Sequence, residues 1–151
     1  MEITGPSAIT DILARGDVCH LALIDGGEPY IVALNYGYTW KEENLILYFH
    51  CAKTGKKLEA IKSNNSACVM VDIDHVLVAG EKDCKWGMNF SSVVGRGTIA
   101  FVSDPDERKM GLDLLMNHYT GRTEFFYDQK VFAMTELLRM DVTGLTGKKK
   151  G

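Results

Sequence analysis

The stretch Leu45-Ile-Leu-Tyr-Phe-His-Cys-Ala-Lys-Thr-Gly-Lys-Lys-Leu-Glu-Ala-Ile61 predicts a strand that leads into a helix. An apolar and aromatic run ends at His50, a short polar turn follows, and Gly55-Lys56-Lys57 opens a segment with apolar residues at helical spacing. The first turn of a helix has unpaired backbone N–H groups and a partial positive charge, and both attract anions. We therefore predict that Lys56 and Lys57 hold a phosphate-bearing cofactor. A solvated basic turn is the alternative interpretation of the same residues.

The segments around this unit predict an antiparallel β fold. Two apolar runs, 18–24 and 30–38, flank the turn Asp25-Gly-Gly-Glu-Pro29, which is typical of a β-hairpin. Further strands are predicted at 67–74, 91–102 and 137–142, and helices at 7–15, 55–63, 105–119 and 131–134. About six strands that do not alternate with helices disfavour a doubly wound parallel sheet and favour an antiparallel barrel with helices at its rim. The segment 76–90 is less regular and is predicted to be a long excursion.

Length and composition indicate one domain spanning residues 1–151 and exclude several classes of partner. The net charge of −3 argues against a nucleic-acid binder, and the run Lys148-Lys149-Lys150 is interpreted as a solvated tail. No apolar run approaches the roughly 20 residues of a membrane span, and no signal peptide is recognisable. We therefore expect a cytoplasmic protein that does not bind membranes. The four cysteines form no C-x-x-C pair and are expected to be reduced.

The usual catalytic and cofactor motifs are incomplete in this chain. The lysine pair lacks the upstream glycine of a phosphate-binding loop, because His50 stands there, and it lacks the following Ser or Thr. Gly95-Arg-Gly97 lies in a β-rich run instead of at a strand-to-helix turn, so it does not indicate a dinucleotide-binding fold. The four histidines have no ligand spacing, and no G-x-S-x-G motif occurs. Since no metal site and no catalytic residue is apparent, we expect a cofactor to supply the reaction chemistry.

Three segments are candidates for a shared cofactor site: Ala33-Leu-Asn-Tyr36, His50–Lys57 and Ser91-Ser-Val-Val94. Each places small or polar groups at a strand or a strand end. Together they offer backbone amides, hydroxyls and an amide side chain for a flat heterocycle, next to cations for its phosphate. Structural roles remain as alternatives: Asn35 as a strand-end cap, the two serines as turn hydroxyls, and His50 as a core histidine.

Four motifs follow one another at characteristic spacing. They are Val18-Cys-His-Leu-Ala-Leu, Pro29-Tyr-Ile-Val-Ala-Leu-Asn-Tyr-Gly-Tyr, Leu47-Tyr-Phe-His-Cys-Ala with the following Gly-Lys-Lys-Leu, and Ser91-Ser-Val-Val-Gly-Arg-Gly. In this order they resemble the nitroimidazole-resistance (NimA-like) family of the pyridoxamine 5′-phosphate oxidase-like FMN-binding split barrels. The resemblance implies a mainly β fold, an antiparallel six-stranded split β-barrel with peripheral helices. It also implies a homodimer with one FMN in each of two grooves between the subunits, and it favours FMN over FAD or haem.

The same resemblance implies cofactor contacts at the matching positions. The isoalloxazine ring would lie along the segment from Val32 to Tyr36, and His50, Cys51 and Ala52 would follow the ribityl and phosphate arm. The lysines would hold the phosphate, and the serines would hydrogen-bond the ring or the ribityl chain. The complete set is Val32, Ala33, Leu34, Asn35, Tyr36, His50, Cys51, Ala52, Lys56, Lys57, Ser91, Ser92 and Val93. The family often has Arg where this chain has Lys56, so the bidentate phosphate geometry is lost.

Two functions from different classes agree with these residues. The first is an FMN-dependent oxidoreductase that passes electrons from a nicotinamide donor through flavin to a small acceptor, such as a nitroaromatic of the 5-nitroimidazole type. The second is a flavin- or haem-binding sensing module without turnover. A pyridoxamine-phosphate oxidase in the strict sense is disfavoured, because the arginines at 96, 108, 122 and 139 are dispersed and form no second phosphate site.

Overall fold

The computed structural model describes all of residues 1–151. The strands are β1 Glu2–Ile3, β2 Cys19–Asp25, β3 Glu28–Leu34, β4 Gly37–Lys41, β5 Asn44–Ala52, β6 Ser66–Val78, β7 Gly87–Phe101 and β8 Thr135–Lys150. The helices are α1 Pro6–Arg15, α2 Lys56–Ser63, α3 Pro105–Thr120 and α4 Gln129–Met134. None of these helices combines the length and the apolar character that a membrane crossing requires.

All eight strands belong to one antiparallel sheet with the order β3-β2-β6-β7-β8-β5-β4, and β1 pairs with β8. The predicted fold class is confirmed: the chain is mainly antiparallel β with peripheral helices, consistent with a split barrel. The predicted number of strands is wrong, because the sheet has eight strands instead of six, and the sheet is not closed. The run 30–38 contains two strands, since β3 ends at Leu34 and β4 begins at Gly37. The two-residue strand β1 is too short to show a sequence pattern.

The sheet has cores on both of its faces. The larger core contains inward-facing strand residues together with one side of α1 and α2: Leu21, Leu47, Phe49, Val69, Val93, Leu138, Ile9, Ile12, Leu58 and Ile61 are among its members. The smaller core lies between α3 and the opposite face of β5 and β8, where Tyr48, Leu112 and Leu137 are buried. Successive residues of β5 alternate between the two cores, as the period of two in a β-strand requires.

The basic run near the end of the sequence is part of the sheet. The predicted last strand, 137–142, covers less than half of β8, which continues to Lys150. Lys148 pairs with Ser92, and Lys149 pairs with Ser91. The interpretation as a solvated tail is therefore wrong. Lysines are unusual strand formers, and here the long-range pairing with β7 decides their conformation.

The predicted excursion, 76–90, is the outer end of a long hairpin made by β6 and β7. The pairing register of these strands shifts between Ile73 and Val76, and Asp74 has a φ of 60°. Such a β-bulge bends a strand and changes its direction. Beyond the bulge the two strands continue as a ribbon that is closed by residues 79–86.

Candidate functional site

Helix α2 begins without a side-chain cap. Its N-cap residue, Gly55, has a φ of 139°, and no side chain accepts a hydrogen bond there. The Nζ atom of Lys56 lies 3.2 Å from Oδ2 of Asp25 and 5.2 Å from the ring centroid of Tyr30. These contacts attach the start of α2 to the β2–β3 hairpin. Lys57 takes part in no ion pair, so its charge is uncompensated by a neighbouring carboxylate.

The end of β5 precedes this helix and presents its residues to two faces of the sheet. His50 is exposed and lies opposite Leu137 of β8. Cys51 packs against the larger core and lies opposite Glu136, whereas Ala52 is exposed. The three predicted residues therefore cannot all direct their side chains at one ligand.

The charge of Lys57 acts on both titratable groups of this strand end. Desolvation, and then the charge of Lys57, lowers the pKa of His50. The imidazole is consequently neutral at neutral pH. Desolvation raises the pKa of the Cys51 thiol, while Lys57 lowers it and the Glu136 carboxylate raises it further. The thiol therefore stays protonated at neutral pH and lacks the thiolate character of a nucleophile.

The β3 segment also divides its predicted residues between two environments. Val32 and Leu34 pack against the larger core, and Ala33 is exposed. In the sheet Ala33 pairs with His20, which in turn pairs with Met70 on β6. The outward-facing surface at this row is therefore built from small and apolar side chains around one histidine.

Asn35 and Tyr36 form the corner between β3 and β4. Tyr36 is fully buried, and its hydroxyl donates to the carbonyl oxygen of Leu13 at 2.6 Å. Its ring is thus a core element, without surface for a ligand. Asn35 is exposed, and its Nδ2 donates to the carbonyl oxygen of Asp17 at 3.2 Å. The Tyr36 backbone N–H donates to the hydroxyl of Tyr119 at 3.1 Å.

Ser91 and Ser92 face opposite sides of β7, because they are adjacent in a strand. Ser91 lies on the same side as Val93, which belongs to the larger core. Ser92 lies on the other side, in a groove of about 330 Å³ that also contains Thr146 and Lys148. Both serines are buried within the chain.

Within one chain, the predicted segments do not form a single cluster. Cys51 pairs with Glu136 near the start of β8, whereas Ser92 pairs with Lys148 near its end. At about 3.3 Å per residue, these two positions are roughly 40 Å apart along the strand. The structure brings together the end of β5, the start of α2 and the β2–β3 hairpin. Ser92 lies farther along the sheet from them, whereas Val93 packs in the same core as Leu58 and Ile61 of α2.

The arginines at 96, 108, 122 and 139 are dispersed over the fold, as the sequence indicated. Arg108 donates to two backbone carbonyl oxygens at 2.7 and 2.6 Å, and Arg139 pairs with Glu107 at 2.8 Å. Arg122 lies over an aromatic ring, and Arg96 is exposed elsewhere. The chain has no group of three or more His, Cys, Asp or Glu side chains that could hold a metal ion.

Sequence reasoning missed the residues that surround the lysine pair. Asp25, Tyr30 and Glu136 lie in a turn, a strand and a strand start, and nothing in their local sequence relates them to Lys56 or Cys51. Only the antiparallel pairing of β5 with β8 and the packing of α2 beside β2 bring them into contact. The tertiary structure therefore supplied this part of the site.

Comparison with known families gives the class of this protein. The family model for pyridoxamine 5′-phosphate oxidase matches residues 6–149. The chain belongs to the pyridoxamine 5′-phosphate oxidase-like family, as the four sequence motifs predicted. None of the curated proteins matches the chain.

Among solved structures, the chain is similar to a proposed 5-nitroimidazole antibiotic resistance protein of Bacteroides thetaiotaomicron. The identity is 30%, the alignment covers 97% of this chain and 85% of that one, and the TM-score is 0.85. The FAD and haem binding protein of Mycobacterium smegmatis has 21% identity, 99% and 74% coverage, and a TM-score of 0.84. The flavocytochrome Anf3 of Azotobacter vinelandii has 17% identity, 99% and 69% coverage, and a TM-score of 0.80. The last two similarities concern the fold alone.

Proposed function

We propose that this protein is an FMN-dependent oxidoreductase that passes electrons from a nicotinamide donor to a small acceptor, of which a 5-nitroimidazole is one candidate. The observation that carries the proposal is the start of α2. There the helix N-terminus has no side-chain cap and is followed by Lys57, a lysine without an ion pair whose charge also acts on His50. Such a start favours a phosphate group, because free N–H donors and positive charge coincide.

The residues present fit a flavin phosphate. Lys57 and the first N–H groups of α2 would hold the phosphate. Lys56 would contribute a second positive charge while keeping its ion pair with Asp25. The exposed surface at Ala33 and Asn35 would lie beside the ring. A bound flavin supplies redox chemistry that amino-acid side chains lack. The protein would orient it, limit its contact with water and tune it by hydrogen bonds.

Relatives support a flavin cofactor more strongly than they support FMN in particular. One structural neighbour binds FAD and haem, and another is a flavocytochrome. A further neighbour from Mesorhizobium loti is an FAD-binding protein with 23% identity and a TM-score of 0.69. We favour FMN because a single phosphate matches the one short cationic surface at the start of α2.

We further propose that the protein is a homodimer with the cofactor between its subunits. The separation of Ser92 from Lys57 within one chain supports this arrangement, since a second copy would bring the two segments to one ligand. The exposed His50 and Lys56 would give a single-chain ligand site only one wall. A monomer in sedimentation analysis at working concentration would contradict the proposal.

The first experiment is an absorption spectrum of the natively purified protein, followed by titration of the flavin-free protein with FMN and with riboflavin. These ligands differ only in the phosphate. We expect FMN to bind about 100-fold more tightly, because charge-assisted contacts to the phosphate contribute about 1.5–3 kcal/mol each. Equal affinities would show that the phosphate site at α2 is wrong.

A non-catalytic flavin- or haem-binding module is the second candidate function. It is favoured by the exposed, neutral His50, which would be available to a haem iron. Addition of a nicotinamide donor separates the two functions. Bleaching of the flavin absorption, with steady oxidation of the donor once a nitroaromatic is added, would support the oxidoreductase. A Soret band that is lost in His50→Ala would support the haem module.

A further inference from the structure

The corner between β3 and β4 is held by two helices. The Tyr36 hydroxyl donates to the Leu13 carbonyl oxygen near the end of α1 at 2.6 Å, and the Tyr36 backbone N–H donates to the Tyr119 hydroxyl at the end of α3 at 3.1 Å. A Cβ on Gly37, the next residue of the chain, would lie 2.5 Å from the backbone nitrogen of Leu115. The corner therefore packs directly against the backbone of α3.

The end of α3 also holds the connection between α1 and β2. His118 Nε2 donates to the Gly16 carbonyl oxygen at 2.8 Å, and the Tyr119 hydroxyl donates to the Asp17 carbonyl oxygen at 2.6 Å. Two consecutive side chains of α3 thus bind two consecutive carbonyl groups. Burial raises the pKa of Tyr119, so its hydroxyl stays protonated at neutral pH and remains a donor.

The Asp17 carbonyl oxygen also fixes the orientation of the Asn35 side-chain amide. Asn35 Nδ2 lies 3.2 Å from this oxygen. A carbonyl oxygen can only accept hydrogen bonds, so the amide nitrogen must face it, and its two lone pairs serve Asn35 and Tyr119. The other end of the amide, Oδ1, has no partner within the chain, and the side chain is exposed. Asn35 therefore offers a ligand an acceptor instead of a donor.

We propose that Tyr119 is a positioning residue, which keeps the Asn35 amide in the orientation where Oδ1 accepts a hydrogen bond from the flavin ring. The Tyr119 hydroxyl does so by binding the Asp17 carbonyl oxygen and the Tyr36 N–H. This inference rests on the proposed flavin site, in which the exposed Asn35 lies beside the ring. The oxidised ring carries one N–H group, at N3, for which an amide oxygen is the complementary partner. Tyr119 would act through Asn35 without touching the cofactor.

The opposite orientation of the amide is unfavourable on both of its sides. If the amide turned over, its Nδ2 would face the ring N–H, and two donors would meet. Its Oδ1 would face the Asp17 carbonyl oxygen, and two acceptors would meet. An amide that is free to turn therefore binds this edge of the ring more weakly than an amide that is held.

Flavin titration tests the role of the Tyr119 hydroxyl. FMN and its N3-methyl derivative differ only at the ring N–H, so the ratio of their dissociation constants measures the contribution of an acceptor there. In the unmodified protein we expect FMN to bind about fivefold more tightly than the derivative. Tyr119→Phe, which keeps the aromatic ring, should remove most of this preference. An unchanged preference would overturn the inference and leave the proposed function intact.

Tyr38→Phe is the matched control for this titration. Its ring centroid lies 5.6 Å from that of His118, so Tyr38 belongs to the same group of aromatic side chains. The contacts of Asn35 and Tyr119 with the Asp17 carbonyl oxygen do not involve the Tyr38 hydroxyl. The control should therefore keep the preference for FMN. Loss of the preference in Tyr38→Phe as well would overturn the specific role of Tyr119.

A double-mutant cycle separates positioning from a general structural role. Asn35→Ala removes the amide, so Tyr119→Phe in that background should cause no further loss of FMN affinity. If Tyr119 influenced the ring by any route other than Asn35, the two losses of affinity would multiply. That result would overturn the inference.

The orientation of the amide is measurable without a flavin. In NMR spectra of the unmodified protein, the Asn35 Nδ2 protons should exchange with solvent more slowly than those of the exposed Asn44. Tyr119→Phe should accelerate the exchange at Asn35 and leave Asn44 unchanged. Equal exchange at Asn35 with and without the Tyr119 hydroxyl would overturn the inference. An unmodified protein that shows slow exchange but binds no FMN would refute the proposed function and, with it, the ring as the partner of Oδ1.

Discussion

Two helices of this chain begin in opposite ways. The N-cap of helix α3 is Asp104, whose carboxylate accepts a hydrogen bond from the Glu107 backbone N–H at 3.0 Å. Its first turn carries two acidic residues, Asp106 and Glu107. These negative charges satisfy the positive end of the helix dipole from within the chain.

The N-cap of helix α2 is Gly55, which has no side chain to cap the helix. The first two residues of the helix are Lys56 and Lys57. Its positive end is therefore strengthened, and its N–H groups are free for an external acceptor. The comparison shows that a helix start can be closed for stability or left open for a ligand. The residue types at the first positions decide which of the two occurs.

The largest effect should come from removing the positive charge at the uncapped start of α2. We expect Lys56→Ala with Lys57→Ala to weaken FMN binding about 100-fold, and Lys57→Ala alone to cost more than Lys56→Ala, because Lys56 also pairs with Asp25. Isothermal titration measures both effects. Lys62→Ala, at the other end of the same helix, is the control and should leave FMN affinity unchanged. Comparable affinities in all variants would refute the difference between the two helix starts.

Backbone conformation gives the next comparison. Gly55 has φ 139° and ψ 168°, a region that is essentially restricted to glycine, whereas Gly121 at the end of α3 is in the left-handed region with φ 71°. A Cβ at either position would meet no atom within 4 Å, so only backbone strain counts. We expect Gly55→Ala to lower the free energy of unfolding by about 2 kcal/mol and Gly121→Ala by about 1 kcal/mol. Urea unfolding measures both, and a reversed order would contradict the assignment.

The capped start of α3 should contribute to the free energy of unfolding but not to FMN affinity. Asp104→Ala removes the acceptor at the N-cap of α3 and should lower the free energy of unfolding by about 1 kcal/mol. FMN affinity should not change, since α3 is not part of the proposed site. The neighbouring exposed Ser103→Ala is the control for stability. A loss of FMN affinity in Asp104→Ala would show that the two helix starts are coupled.

The smallest effect concerns the far end of α3. His118 Nε2 donates to the Gly16 carbonyl oxygen at 2.8 Å, and burial lowers the pKa of this histidine. The unfolded state then binds more protons than the folded state below about pH 6.5. The contribution of the buried, neutral His118 to the free energy of unfolding should therefore be fully present above that pH and decrease as the pH falls.

Unfolding free energies between pH 5 and 7.5 test this sign. We expect His118→Gln, which keeps a hydrogen-bond donor and removes the titration, to show a flatter pH dependence than the unmodified protein. The lowered pKa of His50 acts in the same direction and is retained in this variant. An unchanged slope would show that burial of His118 does not contribute.

Local sequence patterns correctly predicted the elements whose structure is decided by residues close together in the chain. The Gly55-Lys56-Lys57 start and the Asp104-Pro105 start were both correctly predicted, because turn residues, a helix-starting proline and helical spacing are visible within a few residues. The corner at Asn35 and Tyr36 was missed, because its hydrogen bonds go to Leu13, Asp17 and Tyr119, which are remote in sequence. The extension of β8 through three lysines was missed because their pairing partners, Phe90 to Ser92, lie far earlier in the chain.

The features of the candidate site also divide into those that the sequence predicts and those that only the tertiary structure decides. The sequence alone determined the uncapped, doubly basic start of α2, the antiparallel β class and the family motifs, because each depends on adjacent residues or on their order. The tertiary structure decided that Lys56 pairs with Asp25 and that Ser92 pairs with Lys148. Strand register and the packing of α2 beside β2 set these contacts, and both join residues remote in sequence, which no local pattern encodes.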